Sequence, residues 1–460
     1  MKFFDVVVLG AGSAGELIAN TLAGEGRSIA LIEKLRVGGE CAYVSCMPSK
    51  AMLRSAKARY DVKQLVALGG ASQALHLDDD QSAFRAAAAR RDRIVKFRHD
   101  DQAAAHAINL GVELFRGNGL FTASDRLKVN SNEIGWKDLV ITTGSQASIP
   151  KIEGLGRIDY WTSDAALSVN EIPQSVLIVG GGPVGCELAQ VFCRFGSKTT
   201  IVQFGDQLAE REDREVANRL AENLRREGVK VLLNTSVIKV EQTSHQKTLV
   251  HFSDGEFLEV ERVIIAAGRH PNTQDINIKI TGILPNKKGA IEVDDHCQVL
   301  GHPHAWAAGD VTGIAPFTHT ANYQGRIVAR NILGGDQVAN YSAVPRAIYT
   351  DPPVASVGKM KSSEEDGLVV SRIELSEVSR NSTDGGSGGV LVLTADISKG
   401  VLVGAAAIGP HADEWMAELT LAIRAEIPLN VLCDVIHAFP TFGDAIEQPL
   451  RELAALSNKT

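Results

Sequence analysis

Two Rossmann-like dinucleotide-binding α/β domains followed by a C-terminal α+β domain are the fold class this sequence predicts. Three observations predict it. An apolar strand, a Gly-x-Gly-x-x-Gly turn and a helical segment occur twice, at a constant offset of 170 residues. A second apolar strand follows each turn and ends at a polar residue 18 positions after the third glycine. From about Tyr341 the pattern changes to alternating strands, and a last helical stretch begins near Asp413.

The first copy runs from Asp5-Val6-Val7-Val8-Leu9 through Gly10, Gly12, Ser13, Ala14 and Gly15 into a helix reaching Leu22. Glycines let backbone approach a pyrophosphate, and the N–H groups at a helix start attract anions. The second strand, Ser28 to Ile32, ends at Glu33, with Lys34 beside it. A carboxylate there accepts hydrogen bonds from ribose hydroxyls and repels a 2′-phosphate. The second copy runs from Ser175 to Val179, then Gly180, Gly181, Gly182, Pro183, Val184 and Gly185, then a helix to Phe195. Its second strand ends at Gln203. Gln203 can bond a ribose hydroxyl but carries no charge, so NAD(H) and NADP(H) both stay open. Val263 to Arg269, with Gly268, closes this unit, and Ala305 to Asp310 adds a strand ending in Gly309-Asp310. The glycines between Asp384 and Gly389 suggest a flexible hairpin connection.

A net charge of −8 argues against nucleic acid as a partner. No run approaches ~18 apolar residues, and Met1-Lys2 leads straight into a strand, so neither a membrane span nor a signal peptide is expected. Six scattered cysteines do not make a disulfide scaffold, and a reducing cytoplasmic setting is the default. Arg90, Arg91, Arg93, Lys96 and Arg98 lie in an Ala-rich stretch, roughly Ser82 to Asn109, that predicts one long helix with a solvated basic face.

Two cysteines, Cys41 and Cys46, follow Gly38 and Gly39 immediately downstream of Glu33. Pro48 and Ala51 predict a helix starting here, whose N-terminus, with Lys50, would stabilise a nearby thiolate. No second Cys or His pair with ligand spacing follows, so no metal site is predicted. Cys186, Cys193, Cys297 and Cys433 read as packing residues.

With Thr142-Thr143-Gly144-Ser145, the Gly180-to-Glu187 run, Ala267-to-Thr273, Ala308-Gly309-Asp310 and Thr350-to-Gly358, these motifs cover the chain essentially end to end. On them the sequence resembles the flavoprotein pyridine nucleotide–disulfide oxidoreductases, the group of dihydrolipoamide dehydrogenase, glutathione reductase and mercuric reductase. The resemblance implies FAD on the first turn and NAD(P)H on the second. It divides the chain into 1–150 (first part of the FAD domain), 151–270 (NAD(P) domain), 271–340 (FAD completion) and 341–460 (homodimer interface). It implies a redox-active Cys41–Cys46 disulfide, with Cys46 nearer the flavin and Cys41 attacking substrate. Lys50 and Glu187 would form an ion pair beside the flavin, and Thr143, Gly144, Ser145, Gly268, Arg269, Gly309 and Asp310 would border the cofactors.

The sequence departs from the family at one place that matters. The family's disulfide reducers carry a histidine near the C-terminus, with an acid five residues later, that exchanges a proton with the outer thiol of the partner subunit. Here Ile436-His437-Ala438-Phe439-Pro440-Thr441-Phe442-Gly443-Asp444 puts Phe439 in its place and Asp444 at the acid position. His437, two residues earlier, is the candidate substitute. Pro183 stands where glutathione-type reductases place a gating tyrosine. Tyr43 and Tyr349 are candidates to line the pocket or simply to pack in the core. The expectation is an FAD-dependent enzyme reducing a small-molecule electron acceptor, such as a disulfide or quinone. A dihydrolipoamide dehydrogenase proper and a non-enzymatic NAD(P)H-responsive redox sensor are the alternatives.

Overall fold

The computed structural model describes residues 1–244, 247–360, 367–386 and 388–457. They form two compact units, each gathered from separate stretches of chain. One comprises Met1–Pro48, Arg90–Ser148 and Gly268–Asn340; the other comprises Ser49–Ala89, Ile149–Ala267 and the chain from Tyr341 onward.

The first unit is built on a seven-stranded sheet. Its order is Glu113–Arg116, Ile29–Glu33, Lys2–Leu9, Asn132–Ile141, Arg126–Val129, Leu120–Ala123, with Ala305–Ala307 also paired to Asn132–Ile141. Lys2–Leu9 lies parallel to both its neighbours, with Val6 opposite Ile29 and Val8 opposite Ile29's successor-but-one, Leu31. Val6, Val7 and Val8 are all buried, as a parallel strand covered on both faces requires. Helices Ser13–Gly24 and Thr318–Ile332 supply Ile18, Leu22, Ile327 and Val328 to the core on one side.

The second unit contains a parallel sheet of Lys230–Leu232, Lys198–Val202, Ser175–Val179 and Arg262–Ile265, and a three-stranded antiparallel sheet, Val237–Gln242, Thr248–Phe252, Phe257–Val260. Its third sheet is antiparallel, in the order Arg346–Ile348, Val354–Gly358, Val401–Ile408, Val390–Asp396, Leu368–Glu374. Helices Ala412–Arg424 and Glu447–Ser457 bury Met416, Leu419, Leu450 and Leu453 against it. Among the described residues, no helix is long and apolar enough to cross a membrane.

Two local expectations are corrected. The long Ala-rich helix breaks into Asp80–Ile94 and Asp101–Asn109. Between them Lys96, Phe97 and Arg98 take left-handed φ values of 51°, 52° and 63°. The break aims Asp100 at a tertiary target: its Oδ2 accepts the Val37 N–H at 2.6 Å and the Arg116 guanidinium at 2.6 Å. Nor is the basic run wholly solvated, because Arg91 is fully buried and pairs with Asp92 at 2.9 Å. The glycine-rich stretch follows the short helix Ser379–Thr383 and completes the connection between the antiparallel strands Leu368–Glu374 and Val390–Asp396, where Glu374 stands opposite Val390, so it belongs to a hairpin connection as expected. A Cβ at Gly389 or Gly409 would collide with Leu375, so these glycines make room for a core leucine. Ser387, in the middle of this stretch, lies outside the described residues.

Candidate active site

Strand Lys2–Leu9 delivers the chain to Gly10, whose φ of +103° suits only glycine. A side chain at Gly15 would strike Gly10 O, so this glycine lets helix Ser13–Gly24 pack on the strand. At Gly12 the space for a Cβ is open, with nothing within 4 Å. Gly12 is also the helix cap and offers no side-chain acceptor to the first turn, where Ser13 and Ala14 lie. An open backbone cradle at a helix start is what a pyrophosphate needs, so these residues fit the diphosphate of FAD. Glu33 closes strand Ile29–Glu33 and is buried; its carboxylate accepts from Ala11 N at 2.7 Å, Leu35 N at 2.6 Å and Arg36 N at 3.1 Å. Lys34, beside it, is exposed. Gly39 packs so closely on Gly12 that a Cβ there would lie 2.7 Å from the Gly12 Cα.

The same unit brings Thr143, Gly144, Ser145, Gly268, Arg269, Gly309 and Asp310 into one neighbourhood. Thr143 Oγ1 donates to Asn272 O at 2.7 Å, and Asn272 N donates to Gly144 O at 2.9 Å. Arg269 Nε donates to Ser145 Oγ at 2.8 Å, and Ser145 Oγ donates to Asp310 Oδ2 at 2.5 Å. Gly309 N is held by the fully buried Gln324 at 2.7 Å, which fixes the turn carrying Asp310. Arg269 also bonds Glu40 at 2.6 Å. Glu40 escaped sequence reasoning, and its place in the Gly-Gly-Glu-Cys run was the available signal.

Cys41 lies in the short helix Gly39–Tyr43, and Cys46 opens helix Cys46–Gln64. Both cysteines are half-buried. Cys46 Sγ lies 3.7 Å from Oγ1 of Thr318, the first residue of helix Thr318–Ile332. Cys41 borders a groove of about 470 Å³ with Ser13, Glu16, Leu17, Tyr43 and Met47 on its walls. Burial pushes the Glu16 carboxyl up, against a smaller opposing effect of His106. Asn20 Oδ1, on the same groove, is buried without a hydrogen-bond partner.

In the second unit, Lys50 and Glu187 do pair. Lys50 Nζ reaches Glu187 Oε2 at 2.8 Å and Oε1 at 3.0 Å. Ser49 Oγ and Tyr349 N also donate to this buried carboxylate, each at 3.0 Å. Lys50 Nζ sits 4.4 Å from the Tyr349 ring centre, a cation–π contact. Ser49 and the Tyr349 amide were not legible in the motif.

The second glycine turn repeats the first. A Cβ at Gly180 would meet Ala266 O and one at Gly185 would meet Gly180 O, whereas Gly182 is open. Helix Pro183–Arg194 starts here and carries the exposed Val184. Gln203 is buried and accepts the Gly181 N–H at 2.8 Å. These residues fit a second dinucleotide.

His437 sits elsewhere in the second unit, with both ring nitrogens engaged. Nε2 is 3.0 Å from Glu418 and Nδ1 is 3.3 Å from Glu447. Burial works against its cationic form, yet the two glutamates outweigh it and leave the imidazole above its ordinary value. Phe439 is 70% exposed. Cys186 and Cys297 are fully buried, and burial pushes the Cys186 thiol far up.

Residues 4–325 match the family profile described as pyridine nucleotide-disulphide oxidoreductase, and residues 344–450 match that family's dimerisation domain. A dihydrolipoyl dehydrogenase of Chlamydia muridarum is 31% identical over 96% of this chain and 95% of its own length. A mercuric reductase of Staphylococcus aureus is 28% identical over 99% of this chain and 82% of its own length. Among solved structures, the Cu(II) complex of the HOCl-induced flavoprotein disulfide reductase RclA from Escherichia coli superposes with a TM-score of 0.86. It is 28% identical and covers 99% of this chain and 100% of that one. Matched along nearly its whole length, and carrying both dinucleotide turns, the chain belongs to the pyridine nucleotide–disulphide oxidoreductase family and is an FAD- and NAD(P)H-dependent oxidoreductase.

Proposed function

We propose that the protein is a homodimer in which Cys41 and Cys46 cycle between dithiol and disulfide and reduce a small disulfide, quinone or other electron acceptor. The observation that carries this reading is the groove beside Cys41, with the apolar walls of Leu17, Tyr43 and Met47. It offers a half-buried thiol to an apolar or aromatic acceptor. FAD, when bound, supplies the two-electron relay between the nicotinamide and the sulfurs. The first-unit cradle of Gly12, Ser13, Ala14 and Glu33 would hold it, with Asp310 and Ser145 nearby. Gly180, Gly182, Val184, Gly185 and Gln203 would hold the nicotinamide nucleotide. The division of the chain at 150, 270 and 340 is part of the same proposal.

With a disulfide acceptor, the Cys41 thiolate attacks one sulfur and the other leaves as a thiolate that needs a proton. Cys46 then attacks Cys41, regenerates the Cys41–Cys46 disulfide and releases the second thiol. Phe439 cannot provide the proton. His437 has both ring nitrogens committed to Glu418 and Glu447. Losing a positioned acid–base group costs ~10²–10⁴ in rate. Efficient lipoamide turnover, the activity named for the Chlamydia relative, is therefore not expected, and an acceptor whose reduction needs no thiol protonation is favoured.

Two interventions test this. In steady state, NADH and NADPH are supplied with lipoamide, an aromatic disulfide, a quinone or Cu(II), the ion named for the RclA complex. The quinone or aromatic disulfide should outpace lipoamide, and Phe439→His should raise disulfide turnover by on the order of 10²-fold. Brisk wild-type lipoamide reduction, unchanged in Phe439→His, defeats the proposal. A reducible flavin with no turnover on any acceptor points instead to a sensor.

A further inference from the structure

The two glycine turns follow one hydrogen-bonding plan, and the second departs from it by a single relocated charge. In the first, Glu33 Oε2 accepts the Ala11 N–H at 2.7 Å, and Gly38 N donates back to Ala11 O at 2.7 Å. In the second, Gln203 Oε1 accepts the Gly181 N–H at 2.8 Å, and Ala209 N donates back to Gly181 O at 2.8 Å. Gly38 and Ala209 both adopt left-handed backbone, at φ of 101° and 48°. Gln203 thus occupies the place of Glu33 and keeps its bond to the turn with a neutral amide.

The next residue differs. Gly39 follows Gly38, but Glu210 follows Ala209. The Glu210 side chain folds back so that Oε1 accepts Gln203 Nε2 at 2.7 Å. It fills the space that any side chain at Gly205 would need. Both ends of the Gln203 amide are therefore used, one on the turn and one on Glu210. A carboxylate missing at position 203 is restored from seven residues downstream. One amide bond leaves most of the acceptor capacity of an exposed carboxylate unspent.

We propose that Glu210 sets the nucleotide preference of this enzyme in favour of NADH over NADPH. Its carboxylate, oriented by Gln203, accepts from the adenosine 2′-hydroxyl and repels a 2′-phosphate. The surrounding charges agree. Arg214 is paired with Asp206 at 2.6 Å, and Glu212 is occupied by Arg346 and Ser356. Exposed Arg211, the neighbour of Glu210, is the cation a 2′-phosphate would seek.

The inference rests on the second turn being the nicotinamide-nucleotide site, and the test separates the two. Titration calorimetry of the FAD-loaded enzyme with NAD⁺ and NADP⁺ measures binding without turnover, and anaerobic bleaching of the flavin by NADH and NADPH follows the same choice. The wild type should bind NAD⁺ at least about tenfold more tightly. Glu210→Gln, which retains the shape, should narrow that ratio by on the order of tenfold, chiefly by strengthening NADP⁺. Gln203→Glu with Glu210→Ala should restore the preference, and salt should shrink it in the wild type. Equal or tighter wild-type binding of NADP⁺, with its loss in Arg211→Ala, overturns the proposal. An unchanged ratio in Glu210→Gln overturns it too. If neither nucleotide binds or bleaches the flavin, the assignment of the turn falls and the proposal falls with it.

Discussion

Lys50 and Glu187 show how burial decides which half of an ion pair matters more. The Glu187 side chain is 7% exposed and that of Lys50 35%. Removing the lysine strands a carboxylate away from water, with only Ser49 Oγ and the Tyr349 amide left to it. Removing the charge on Glu187 leaves an ammonium that water and the Tyr349 ring can still solvate. Lys50→Ala should therefore cost about 3 kcal/mol, near the range for an orphaned buried charge. Glu187→Gln should cost about 1 kcal/mol, as for a solvent-screened pair. Denaturant midpoints of the two holoproteins check the order; equal costs, or a larger loss in Glu187→Gln, would contradict it.

At the scale of elements, the glycine turns divide labour between folding and binding. Gly15 is needed because helix Ser13–Gly24 presses on Gly10 O, and Gly12 is needed only where a ligand would come. Gly12→Ala should fold with near wild-type stability yet retain little FAD, whereas Gly15→Ala should lose ~1–3 kcal/mol or more through overpacking. Thermal melts of the apoproteins, together with flavin content, distinguish the two. If Gly12→Ala purifies with full flavin, that cradle is not where the diphosphate lies.

These turns were legible because their function is local: strand, glycines and helix are contiguous, and the 170-residue repeat shows the pattern twice. The Lys50–Glu187 pair was reachable only through family resemblance, since its partners are 137 residues apart. The break at Lys96–Arg98 was invisible, because helix propensity there is overruled by Asp100 binding Val37 and Arg116. Glu210 was missed for a different reason. A side chain that folds back over a loop leaves no periodic trace.

At the scale of the whole molecule, the stretch around Phe439 leaves large apolar side chains exposed. Val431 is 51% exposed, Ile436 96% and Phe439 70%, all within the segment matching the dimerisation domain. Apolar side chains gathered this way mark an association surface, which in the proposed homodimer faces the second copy. Ile436→Asp should shift the protein to monomer in sedimentation velocity. Acceptor turnover should fall with it, while flavin bleaching by the nicotinamide nucleotide persists. A monomeric wild type, or a variant that stays dimeric and fully active, would remove the dimer from the account.

In the proposed cycle, Cys41 and Cys46 exchange electrons with bound FAD. The direct measurement is an anaerobic titration of the holoprotein with two electron equivalents, followed by absorbance. The expected result is a new long-wavelength band, from a thiolate lying against oxidised flavin, that is lost in Cys46→Ser. Full bleaching of the flavin by those two equivalents, with no such band and an identical course in Cys46→Ser, would contradict it.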